Sequence, residues 1–92
     1  MDDNTLKELR KLVDEVIYAS TKKDAQSPLR RLEFEASMLR GTIDPYLSGK
    51  LGEVINYAKE ASGRVKNKQH WISCVEQSWY VFENRIKRGR DG

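Results

Sequence analysis

The sequence predicts an all-α protein, a small antiparallel up-down bundle of three to four helices. Three observations predict it. Apolar residues recur at steps of three and four along four stretches, and helix-start or helix-stop residues bracket those stretches. No segment alternates apolar and polar residues long enough for a strand, and no Asn-Gly or Asp-Gly turn joins two such segments. The helices are expected at about 5–22, 28–40, 45–62 and 68–88. Connections of about two to eight residues make sequential helices antiparallel neighbours.

In the first helix Leu6, Leu9, Val13, Val16 and Ile17 share a face, and Thr5 with Glu8 supplies a capping box. After KKDAQ, Ser27 is placed to cap the second helix and Pro28 to occupy its first position, where a fixed φ suits the helix. Leu29, Leu32, Ala36 and Leu39 follow at helical steps, and Gly41 is expected to stop the helix in a left-handed conformation. The third repeats this chemistry, with Asp44 as cap, Pro45 first, Leu47, Leu51, Val54, Ala58 and Ala61 on one face, and Gly63 at the end. Gly49 and Gly52 inside it each cost about 1 kcal/mol relative to alanine. They imply either close approach by another helix or a later start near Lys50.

Asn67 is the candidate cap of the fourth helix, whose seam is Ile72, Val75, Trp79, Phe82 and Ile86. Trp71, Cys74 and Val81 flank the seam, so the apolar arc is wide. Such a helix is central to the bundle or buried against another subunit. Homo-oligomerisation is therefore possible, with Trp71, Trp79, Tyr80 and Phe82 as the candidate interface.

With 38% hydrophobic and 34% charged residues in 92, the chain fits one folded domain, 1–92, with short frayed ends at 1–4 and 89–92. No apolar run approaches the roughly 20 residues of a membrane span, and the acidic start MDDN does not suit a secretory signal, so a cytoplasmic location is expected. One cysteine, Cys74, excludes an internal disulfide. His70 and Cys74 lie four apart, but zinc needs further ligands of the same kinds, and the sequence has none. Phosphate-loop and dinucleotide motifs are absent too. No catalytic residue, metal or cofactor is expected, and the protein reads as a non-enzyme.

The net charge of +3 comes from the C-terminal third: residues 63–92 carry 7 basic and 3 acidic side chains. In an up-down bundle alternate connections share one end. That end should collect Lys22, Lys23, Arg30, Arg31, Arg64, Lys66, Lys68 and His70, beside two helix N-termini whose free N–H groups favour anions. Lysine and arginine neutralise phosphate, and His70 or Trp71 could stack on a base, with aromatics such as Tyr46 from other subunits as secondary contacts. The alternative is that these charges solubilise two turns while Trp71 packs inward. A second basic cluster, Arg40, Arg85, Lys87, Arg88 and Arg90, belongs to the opposite end, roughly 27 Å along the fourth helix at about 1.5 Å per residue. It doubles as cations completing a helix C-terminus.

The segment ISCVEQSWYVFENRI, Ile72 to Ile86, is similar to the terminal helix of small phage proteins that sequester cyclic-nucleotide alarm signals. It covers 15 of 92 residues and shares an apolar, glutamate-containing, aromatic-bearing helix, and no residue roles are carried over. Together these features predict a helical protein that sequesters an anionic partner, a nucleotide signal or single-stranded nucleic acid. The alternative is a protein-interaction module, an inhibitor or adaptor of the kind a phage or mobile element encodes. Its contacts would be aromatic: Trp71, Tyr80, Tyr57 and Tyr18.

Overall fold

The computed structural model describes residues 2–63 and 66–91. Among them are four helices, α1 (Asp3–Ile17), α2 (Lys22–Leu39), α3 (Pro45–Ala61) and α4 (Lys68–Asp91), and no strand. The all-α bundle is thus as the periodicity predicts. Among the described residues no helix is long and apolar enough to cross a membrane.

Several boundaries differ from the sequence reading, each for a local reason. Asp2 rather than Thr5 caps α1: its carboxylate accepts the Thr5 N–H at 2.8 Å, where a negative charge also suits the helix dipole. The helix stops at Ile17 because Thr21 is already extended, with φ −138° and ψ 163°, and caps α2 by accepting the Asp24 N–H at 3.0 Å. Ser27 is therefore not a cap, and Pro28 lies inside α2. At the other end of α2, Gly41 is not left-handed; the Leu39 carbonyl accepts from the Thr42 and Ile43 N–H groups and from the Thr42 hydroxyl.

The punctuation of α3 is as expected. Asp44 accepts the Leu47 N–H at 2.8 Å, Pro45 opens the helix, and Gly63 follows its end at φ +69°. Asn67, in contrast, precedes α4 at φ +59° instead of in the extended conformation usual for a side-chain cap, and its carbonyl accepts the Trp71 N–H at 3.3 Å. Gly89 does not end α4, which continues to Asp91, and α1 already covers residues 3 and 4, so the helices reach further into both ends than the frayed stretches expected there.

The centre of the bundle is α3. It packs most extensively on α4, and it also meets α1 and α2, which form a hairpin of their own. The core takes Val13, Val16 and Ile17 from α1, Leu32 from α2, Leu51, Val54 and Ala58 from α3, and Val75 and Phe82 from α4. Every residue of the expected α4 seam is buried. Of the residues flanking the seam, Trp71 and Cys74 are half-buried and Val81 is exposed.

Gly49 and Gly52 mark neither close packing nor a late start. The helix begins at Pro45, and no atom lies within 4 Å of where a Cβ would stand on either glycine. Both then carry only the entropic disadvantage of glycine in a helix. Gly49→Ala and Gly52→Ala are each expected to stabilise the protein by about 1 kcal/mol, seen as a rise of roughly 4–8 °C in a thermal melt followed by circular dichroism.

Candidate functional site

The two alternate turns meet. A Cβ on Gly63 would lie 2.8 Å from Lys22 Cγ and 2.9 Å from Lys22 N, so the end of α3 rests directly on the start of α2. Lys22 and Lys23 in the first turn of α2 thereby share one end of the molecule with Lys66 and Lys68 at the start of α4. Lys22, Lys23 and Lys66 are exposed and Lys68 is half-buried. None of the four lysines pairs with an acid among the described residues.

Not every expected member joins them. Because α2 starts at Lys22, Arg30 and Arg31 lie more than two turns along it, roughly 12 Å from its start. Arg31 instead lines a shallow groove with Thr5, Glu8 and Glu35. Arg64 lies outside the described residues. His70 is exposed at this end, but it sits edge-on to Trp71, with ring centres 5.1 Å apart, and its Nε2 is 3.9 Å from Cys74 Sγ. No group of three or more metal-binding side chains occurs among the described residues.

The aromatic interface assigned to α4 divides. Phe82 has no exposed surface, and Trp79 is 5% exposed with its indole N–H donated to Glu83 at 2.8 Å, so both belong to the core. Trp71 is half-buried, its ring centre 6.1 Å from that of Tyr57. Of the four, Tyr80 is the exposed one, at 70%.

Two features escaped the sequence reading. Helices α1 and α4 do not pack closely on each other, and Arg10 spans the gap, donating to Asp14 at 3.0 Å and to Glu76 on α4 while lying 5.8 Å over the Trp79 ring. Partial burial opposes the Arg10 charge, but the hydrogen bond to Glu76 and the nearby Asp14 charge outweigh it and raise its pKa further. Burial likewise pushes the Glu83 carboxyl up, and hydrogen bonds from Lys87 and Trp79 reverse this to hold it below the ordinary range. These charges are satisfied by one another, which makes the gap a braced seam.

The second feature is a groove of about 810 Å³ between the start of α3 and the last turns of α4, where Tyr46, Tyr80, Arg85 and Arg88 converge. Its charge was legible as a basic cluster and Tyr46 and Tyr80 were singled out separately; their convergence with Arg85 and Arg88 was not legible. Comparison with protein-family models, with curated proteins and with solved structures returns no match for this chain.

Proposed function

We propose that this chain is a non-enzymatic binding protein that sequesters an anionic partner, a nucleotide or single-stranded nucleic acid, at the end bearing Lys22, Lys23, Lys66 and Lys68. The observation that supports this reading is the contact of Gly63 with Lys22, which draws lysines distant in sequence to one end, where none of them pairs with an acid among the described residues. The first turns of α2 and α4 add helix N-termini, whose positive dipole ends favour the same charge. Attraction of this kind speeds encounter and weakens with salt. A single strand neutralised by these four lysines should lose affinity with a log–log salt slope near −3, at about 0.7 per phosphate.

The test is a titration with labelled single-stranded oligonucleotide and with cyclic dinucleotides at low salt. Wild-type protein should bind one of them in a salt-dependent manner, and Lys22→Glu with Lys66→Glu should weaken binding by at least about tenfold. Both lysines are exposed, so the helical circular dichroism signal should survive the change. Equal binding by wild type and variant, or none by either, discards the reading.

A second reading, a protein-interaction module, is favoured by one observation: Tyr80 and Tyr18, named for that role from the sequence, are 70% and 64% exposed. A partner that copurifies at fixed stoichiometry and is lost in Tyr80→Ala, with no nucleotide raising the melting temperature, would select it.

A further inference from the structure

We infer that the groove at the opposite end of the molecule is a second binding site, specific for unpaired nucleic acid, with bases stacked on its tyrosines and phosphates held by its arginines. Tyr46, near the start of α3, and Tyr80, on α4, are 47% and 70% exposed, far more than buried aromatic side chains of a core. The Arg85 guanidinium lies 4.4 Å over the Tyr46 ring, an arrangement that gives a base both a π-face and a cation. Arg88 lines the same groove. Ile43 and Leu47 supply apolar lining.

Among the described residues the acidic lining residue of the groove is Asp44, whose carboxylate accepts the Leu47 N–H as the cap of α3. Arg88, and Arg85 stacked over Tyr46, stand beside two exposed rings and match the alternation of phosphate and base along a strand. A volume of about 810 Å³ suits one or two nucleotides, within the roughly 300–1,000 Å³ of small-ligand pockets. A protein partner would ordinarily require a broad face of about 800 Å². The groove therefore favours a strand over a folded protein.

This site is independent of the lysine end. Arg85 lies 17 residues beyond Lys68 on α4, about 26 Å away at about 1.5 Å per residue.

The experiment titrates the full chain with labelled oligothymidylate of about twelve nucleotides, comparing wild type with Tyr46→Ala, Tyr80→Ala, Arg88→Gln and the Lys22→Glu, Lys66→Glu pair. Each tyrosine substitution is expected to weaken binding about tenfold or more, and Arg88→Gln to reduce the salt slope by about 0.7, all with unchanged circular dichroism. Loss in the tyrosine variants with retention in the lysine pair supports the groove and rejects the lysine end. Loss in the lysine pair alone does the reverse. The groove assignment is also overturned if adenosine monophosphate binds as tightly as the oligonucleotide, or if an acidic decapeptide displaces the strand at equal concentration.

Discussion

Gly63→Ala is expected to destabilise the protein by about 3 kcal/mol, a fall of more than about 10 °C in melting temperature for a domain of this size. Two effects combine. At φ +69° an L-residue loses about 1–2 kcal/mol relative to glycine. The new methyl would also stand 2.8 Å from Lys22 Cγ and 2.9 Å from Lys22 N. The side-chain carbon can swing away, but the backbone nitrogen moves only with the first turn of α2, a strain typical of overpacking at about 1–3 kcal/mol. Gly63→Asn separates the contributions, since asparagine tolerates the left-handed region yet carries the same Cβ. It should lose less than alanine and more than nothing. A denaturation series on the three proteins checks this order, and equal stability of wild type and Gly63→Ala would contradict the close approach of the two turns.

Pro28→Ala is expected to act in the opposite direction, raising stability by about 2 kcal/mol. Proline at the seventh residue of α2 can donate no N–H to the carbonyl four residues back, that of Asp24, and its ring crowds that carbonyl. Relative to alanine this costs about 3 kcal/mol within a helix. Part is returned because proline restricts the unfolded chain by about 0.4–1 kcal/mol. Pro28 is only half-buried, so its replacement leaves no large cavity. Thermal or urea unfolding measures the gain; a loss would mean that the ring makes packing contacts outweighing the missing hydrogen bond.

The same proline explains where the sequence misled. Ser27-Pro28 has the chemistry of a helix start, yet Thr21 caps α2 six residues earlier. A signal for the true boundary was present: Ala25, Leu32 and Ala36 are spaced by seven and four, and Ala25 is 1% exposed, so the apolar face continues backwards through KKDAQ. In α3 cap, proline, glycine and seam agree, in α4 the seam alone does, and the starts at Pro45 and Lys68 match expectation. The convergence of the first and third turns follows from helix direction alone, and the contact of Gly63 with Lys22 agrees with it. Removing Arg30 and Arg31 from that end required the boundary of α2, which composition does not reveal. The Tyr46–Arg85 pairing required the rotation of α3 against α4, a property of packed side chains that no spacing along one helix encodes.

Because the two broadest interfaces, α1 with α2 and α3 with α4, each join neighbours in the chain, most of the native contacts form across short loops. Little chain entropy is spent closing them, as in other helical domains of low contact order, which fold in microseconds to milliseconds. The later event is the docking of one hairpin on the other through α3, and Arg10 can reach Glu76 only then. That ion pair thus reports assembly of the two halves, separately from the formation of either.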